Sequence, residues 1–272
     1  MTLDCEIVLT QSGDKAVLDR ISGEVMHPRI GPLTEARALY VEPSRLAARL
    51  MAPGEQPVVV LDVGLGAGSN AIAAWNLTRS LETRRRALQI VSFDRTTAAL
   101  ELALDPAHAE AFGFDPPARA AASELLRSGQ TGGANLGWRL QVGELPDSLL
   151  LLRDLAADVV FWDPFSRRRT PELWTLRAFQ AARARCRAGA TLHTYSAATS
   201  VRSALLLAGF AVGYGPAITG GKPSTLAAVD VNDLSEPLTR RFVDRLTRSG
   251  APFPDDAPSD ALARIAALPQ FC

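Results

Sequence analysis

The stretch VVVLDVGLGAGSNAIAAWNLTRSL, residues 58–81, limits what this chain can fold into more than any other. An apolar run of strand length passes into three glycines and then into a helical pattern. Apolarity along nearly a whole strand, rather than at alternate positions, marks a strand covered on both faces, as in parallel sheets. The same rhythm recurs downstream. QIVSFD (89–94) precedes the helical TAALELAL, and WRLQV (138–142) precedes PDSLLLLRDL. DVVFWD (158–163) precedes PELWTLRAFQAARARCRA, read as one helix ended by Gly189, and ATLHTY (190–195) leads into TSVRSALLLAG, ended by Gly209. Residues 105–137 are looser, with a helical AARAAASELLRS and the turn-rich GQTGGANLG.

Two strand-like runs, FAVGYG and STLAAVD, close the series with no helix between them, so antiparallel pairing is expected. Alternating strands and helices give an α/β fold with a parallel sheet covered on both faces. With a reversed last strand, the layout is that of class I methyltransferases, a Rossmann-like seven-stranded sheet. A dinucleotide-binding domain normally lacks that reversed strand. Residues 1–50 differ in texture: EIVLTQSGDKAVLDRISGEVMHP reads as short strands around a Ser-Gly-Asp turn, and EARALYVEPSRLAARLM as a mostly helical lead-in. The expected organisation is a small N-terminal β-containing extension (1–50), a methyltransferase-type domain (51–232) and a C-terminal helical tail (233–272).

Composition narrows the partners. Lys+Arg and Asp+Glu both number 29, so no overall charge draws the chain to nucleic acid, and any such site must be a local basic patch. Cys5, Cys186 and Cys272 are scattered and odd in number, giving neither a disulfide framework nor a metal-ligand spacing, so no metal is expected. Cys186 falls in an expected helix and is read as core. No window approaches the roughly 20 apolar residues of a membrane span. The N-terminus, MTLDCEIVLT, lacks the basic-then-apolar pattern of a secretory signal. A cytoplasmic enzyme or binding protein without a membrane partner is the expectation.

The glycine turn after the first long strand is a candidate ligand site. Gly64, Gly66 and Gly68 lie where an open α/β sheet receives ligands, at the carboxyl ends of its strands. Their G-x-G-x-G spacing differs from the G-x-G-x-x-G of dinucleotide sites, and a tight strand-helix connection would use the same residues. Asp94 ends the second long strand, where a carboxylate can accept from both hydroxyls of a ribose. Glu144 follows the third, where the acid or its backbone could face an adenine amine. Either acid could instead be a solvated loop residue. Their order along one sheet edge favours S-adenosylmethionine as cofactor, with Asp62 and Asn70, on either side of the glycines, counted in the same set.

The fourth long strand ends in FWDPFSRRRTPELWT, residues 161–175. Asp163, Pro164 and Phe165 form an Asp-Pro-aromatic turn at the same edge, similar to the motif of amine-directed N-methyltransferases. The carboxylate and the proline carbonyl can accept hydrogen bonds from an amino group and aim its lone pair, and Asp163 can assist deprotonation. Phe161 and Trp162 read as core, and Phe165 as the stacking candidate. Arg167, Arg168 and Arg169 are either phosphate contacts or a solvated loop. ETRRRAL (82–88) carries the same triplet where no substrate is expected, and the alternatives stay open.

WDPFSRRRTPELWT resembles the D-(A/G/P)-F-x-P-x-x-N-P-E-L-W-T signature of MnmC-like methyltransferases of tRNA 5-methylaminomethyl-2-thiouridine biosynthesis. AGATLHTYSAATSVRSALLLAGF is similar to the family's P-G-G-x-L-x-T-Y-x-x-A-x-x-V-R-x-x-L-x-x-A-G-F. TQSGDKAVLDRISGEVMHPRIGPLTEARALYV resembles the front motif T-x-D-G-S-x-T-L … E-x-Y-H-S-x-x-G-A-x-x-E-x-x-x-V-F of the single-domain members. The resemblance implies methyl transfer to the aminomethyl nitrogen of a wobble uridine, with tRNA as partner. It implies Asp163 as the catalytic aspartate and the glycine loop, Asp94 and Glu144 as cofactor contacts; some members carry a fused FAD-dependent oxidase, and this chain resembles the stand-alone members, so none is expected. By motif position, His27, Glu35 and Tyr195 shape the acceptor cavity, and Lys222 keeps the lysine of G-x-G-x-K-R-E. Pro223 and Ser224 replace the Arg and Glu of that motif, Thr170 replaces its Asn in N-P-E-L-W, and Met26 and Pro28 replace the Tyr and Ser of Y-H-S. Two alternatives stand beside this reading: a same-fold methyltransferase for a small-molecule or peptide acceptor, and a non-catalytic cofactor- or partner-binding relative.

Overall fold

A computed structural model describes residues 5–27, 30–218 and 221–271. Pro28 of the front motif and Cys272 of the cysteine count lie outside the described residues. The chain divides into two compact units, Met1–Glu144 with Phe161–Phe165, and Leu145–Val160 with Ser166–Cys272.

The first unit begins with a three-stranded antiparallel sheet: β1 (Cys5–Leu9), β2 (Lys15–Asp19) and β3 (Glu24–Val25). The lead-in after it is helical, but not one helix. α1 (Pro32–Ala36) continues as a π-helical turn over Arg37–Val41, and α2 (Leu46–Met51) follows. β4 (Val58–Val63) is buried at every position, as its composition requires, and feeds α3 (Ser69–Ser80) through the glycine turn. β5 (Leu88–Asp94) pairs parallel with β4, Val63 opposite Phe93. After β5 come α4 (Ala98–Ala103) and α5 (Pro116–Ser128), whose start is set by Asp115 accepting from the Ala118 N–H and by Pro116 in the first turn.

The looser region 105–137 hides a strand that composition does not show. β6 (Gln130–Gly132) folds back antiparallel on β7 (Leu136–Val142), which itself runs parallel to β5. The sheet therefore has eight strands rather than the seven expected. Their order is β10 (Ala211–Tyr214), β11 (Thr225–Ala228), β9 (Cys186–Thr194), β8 (Ala157–Trp162), β4, β5, β7 and β6.

The second unit holds α6 (Asp147–Leu151) and most of β8 (Ala157–Trp162), whose last residues belong to the first unit. The expected long helix over 171–188 is divided. Pro171–Trp174 is a 3-10 turn, Thr175 caps α7 (Leu176–Arg183) by accepting from the Ala178 N–H, and β9 (Cys186–Thr194) begins at once. Gly189 lies inside β9 at φ 73° rather than ending a helix. Helix-favouring alanine and arginine here yield to backbone pairing, beginning where the Ala157 N–H donates to the Arg185 carbonyl. Cys186 is consequently on a strand and half-buried, and its thiol donates to the Ala182 carbonyl at 3.3 Å. α8 (Thr199–Leu207) precedes β10 (Ala211–Tyr214) and β11 (Thr225–Ala228). As expected, β11 is the reversed strand, antiparallel to both β10 and β9. The tail forms α9 (Arg240–Leu246) and α10 (Ala261–Ala266). Among the described residues no helix is long and apolar enough to cross a membrane.

Candidate active site

The carboxyl ends of β4, β5 and β8 bring the sequence-predicted residues of the first unit together. Gly64, Gly66 and Gly68 have φ of 88°, 51° and 82°, the left-handed region that favours glycine. Gly64 is tightest. A Cβ there would lie 2.5 Å from the Asp163 carbonyl oxygen and 2.8 Å from the Pro164 Cα. Its absence lets the Asp-Pro turn, anchored by the Asp163 N–H donating to the Val63 carbonyl, close against the glycine loop.

Asp163 is held by both oxygens. The Tyr40 hydroxyl donates to Oδ1 at 2.6 Å and the Asn70 amide to Oδ2 at 2.7 Å. Tyr40 is fully buried in the π-helical turn, its ring edge-on to Phe161 at 5.7 Å, and Asn70 is buried in the first turn of α3. His27 approaches the same oxygen as Asn70. Its Nε2 is 3.5 Å from Asp163 Oδ2 and its Nδ1 is 3.5 Å from Glu35 Oε1. The loop carrying it is pinned where the Met26 N–H donates to the Val17 carbonyl, and His27 adopts a left-handed φ of 53°. Such a backbone in a residue with a side chain is a strained, over-determined feature. The N-terminal extension thus supplies His27, Glu35 and Tyr40.

Burial governs the electrostatics. It raises the Asp163 pKa, opposed by the His27 charge and the Tyr40 and Asn70 hydrogen bonds and reinforced by Glu35. Burial also works against a charge on His27, but Asp163 and Glu35 outweigh it and raise the His27 pKa. Asp62, 1% exposed, is pushed up to about 7, first by desolvation and then by the charges of Asp163 and Asp94, while the Ser92 hydrogen bond resists. Ser92 Oγ donates to Asp62 Oδ2 at 2.7 Å and accepts from Trp138 Nε1 at 2.9 Å. Asp94 is likewise raised by burial, although its carboxylate accepts from the backbone N–H groups of Gly66, Arg95 and Thr96.

These residues fit a nucleoside-bearing cofactor. Asp62 Oδ1, Ser69 Oγ and Asn70 Oδ1 are buried around the glycine turn without a hydrogen-bond partner among the described residues, which marks a place where a polar ligand belongs. Asp94 keeps acceptor capacity beyond its backbone bonds, since a carboxylate offers about four lone-pair sites. Glu144, by contrast, is 70% exposed, with Arg95 Nη1 3.7 Å away.

Other predicted residues belong to the second unit. Arg167 is engaged: it donates to Asp255 at 2.8 Å and to Ser200 at 3.1 Å, while Arg168 and Arg169 are exposed. Tyr195 is half-buried, edge-on to Trp174 at 5.7 Å. Lys222 is exposed at the rim of a cavity. Phe161 and Trp162 are core, as read, and Phe165 is half-buried beside Asp163 in the chain. Sequence reasoning missed Tyr40. It stands five residues after Glu35, where the front motif has phenylalanine, and no local pattern ties its hydroxyl to Asp163.

A family described as S-adenosyl-L-methionine-dependent methyltransferase matches residues 123–230. The tRNA 5-methylaminomethyl-2-thiouridine biosynthesis bifunctional protein MnmC of Methylibium petroleiphilum is 34% identical over 209 residues, covering 74% of this chain and 31% of that protein. Its counterpart from Azoarcus sp. is 32% identical over 211 residues, covering 75% and 32%. The chain thus spans about a third of the length of the curated relatives it matches. The crystal structure of MNMC2 from Aquifex aeolicus superposes with a TM-score of 0.75 at 25% identity, covering 97% of this chain and 85% of that one.

Proposed function

Because this chain belongs to the MnmC-like family of S-adenosyl-L-methionine-dependent methyltransferases, we propose that it methylates the aminomethyl nitrogen of a wobble uridine in tRNA. The observation that carries the reading is Asp163, held through both oxygens by Tyr40 and Asn70 against the glycine loop. Two fixed donors orient the carboxylate and leave its remaining lone pairs for the N–H bonds of an amino group. S-adenosylmethionine, when bound, supplies an electrophilic methyl group on a positively charged sulfur. Gly64, Gly66 and Gly68 with Asp62 and Asn70 would hold its inner part, Asp94 its ribose, and Glu144 or the backbone beside it its adenine.

The acidic character of the site supports a cationic pair of ligands. Asp163, Glu35 and Asp62 act on the one imidazole, and burial raises the pKa of Asp62, Asp94 and Asp163, so a positively charged ligand would favour their ionised forms. An alkylammonium acceptor must lose a proton before its nitrogen can attack. Asp163 accepts that hydrogen, and His27, whose pKa is raised by Asp163 and Glu35, favours the ionised carboxylate whenever it carries its proton. Orientation of the lone pair then supplies much of the acceleration. We read residues 51–232 as carrying the transfer, 1–50 as lining the acceptor side and 233–272 as a helical tail, and place the activity in the cytoplasm, where tRNA is modified.

The reading is tested by incubating tRNA that bears aminomethyl uridine with methyl-labelled S-adenosylmethionine and digesting it to nucleosides. Label in a methylaminomethyl uridine is expected. Cofactor binding with all tRNA nucleosides unlabelled would refute the acceptor and direct the search to small molecules.

A further inference from the structure

We propose that a cavity in the second unit, lined by Arg202, Tyr214, Lys222, Glu236 and Arg245, is a binding site for a phosphate group. It encloses about 370 Å³ and is built around a buried arginine. Arg202 is 4% exposed. Its Nε donates to Thr225 Oγ1 at 2.9 Å, and its Nη2 donates to the carbonyls of Pro223 and Ser224 at 2.8 and 3.0 Å. Thr225 Oγ1 is itself fixed by donating to the Ser196 carbonyl at 2.6 Å, and the Tyr214 ring lies 4.7 Å from the guanidinium carbon. The guanidinium plane is therefore locked, and Nη1 donates no hydrogen bond among the described residues.

A buried arginine ordinarily faces a carboxylate. Arg202 has only neutral acceptors. Lys222 and Arg245, both exposed at the cavity, make no ion pair among the described residues, and neither does Glu236. Burial works against the Arg202 charge, Tyr214 favours it, and the charge of Arg245 opposes it, which places two guanidinium groups within electrostatic reach of each other. Three cations converging on one opening against a single acid leave a cationic excess that an anion would neutralise. A phosphate suits it best, because its tetrahedral oxygens can accept from a guanidinium fork and from two further cations at once. The cavity exceeds one phosphate in size, so the group belongs to a larger molecule, either an RNA backbone or a small phosphorylated compound. The inference concerns binding alone and stands apart from the identity of the methyl acceptor.

The test uses the full chain and two exposed substitutions, Lys222→Gln with Arg245→Gln, beside Glu236→Gln. Inorganic phosphate is followed by phosphorus NMR line width, and an unmodified RNA stem-loop by fluorescence anisotropy over a salt series. The double variant should abolish the phosphate broadening, and Glu236→Gln should strengthen it. If RNA is the source, the double variant should also weaken the stem-loop about tenfold and lower the salt slope by roughly one to two. Phosphate binding lost with RNA binding unchanged supports the site and assigns it to a small phosphorylated ligand. Phosphate and RNA binding both unchanged in the double variant overturns the proposal. Neither arm requires methyl transfer, so failure of the tRNA reading leaves the test intact.

Discussion

Among single residues, Asp163 matters most, because burial works against its charge while Tyr40, Asn70 and His27 favour it. The Tyr40 hydroxyl lowers its pKa by hydrogen bonding the charged form. Tyr40→Phe should therefore raise the Asp163 pKa further and move the acid limb of the pH–rate profile to higher pH, with the fold intact by circular dichroism. An unmoved limb would separate Tyr40 from the carboxylate's chemistry. Asp62 behaves differently, since its pKa rises to about 7 in the folded chain. A carboxyl whose folded pKa is raised is destabilising in its charged form. That cost is absent below the unfolded value near 4 and grows as pH rises towards 7. Asp62→Asn carries no such charge, so in the cofactor-free protein its melting temperature should gain on the wild type between pH 4 and 7. Three pH units correspond to at most about 4 kcal/mol. A difference independent of pH would show that Asp62 titrates normally. Of these residues, Asp163, Asp94 and the glycines were legible in the sequence because they end long apolar runs. Tyr40 was not, because its partner lies 123 positions away and no local pattern encodes that meeting.

At the scale of elements, strands covered on both faces announced themselves and weakly patterned ones did not. β4 and β8 are almost wholly buried and were read to within a residue. β6 has three residues of glutamine, threonine and glycine, and exists because β7 offers it an edge. The first residues of β9 carry a helical composition that sheet pairing overrode. The π-helical turn at Arg37–Val41 has no compositional mark, yet it carries Tyr40. The β4–α3 turn is where an element meets the chemistry. Gly64→Ala should strain a backbone at φ 88° and drive a methyl into the Asp163–Pro164 backbone. Strain of this kind costs on the order of 1–3 kcal/mol. Cofactor affinity and turnover should fall together, measured by calorimetry and by rate, as the two loops are pushed apart. Retention of both would show that the loops tolerate separation.

For the molecule as a whole, the N-terminal extension is part of the site, because His27, Glu35 and Tyr40 all come from it. The charge balance conceals this arrangement: equal numbers of acids and bases hide an acidic centre in one unit and a cationic cavity in the other. The arginine run beside the Asp-Pro turn is explained only in part, since Arg167 is taken up by Asp255 and Ser200. The role proposed for Asp163 is to act on the acceptor amine, with cofactor binding left to other residues. Its most direct test is the single-turnover rate of methyl transfer to aminomethyl-bearing tRNA in wild type and Asp163→Asn, with the S-adenosylmethionine dissociation constant measured on both. The rate should fall by about 10²–10⁴ while the dissociation constant stays within a few-fold. A variant that keeps its rate, or loses rate only as it loses cofactor affinity, would contradict the role assigned to Asp163.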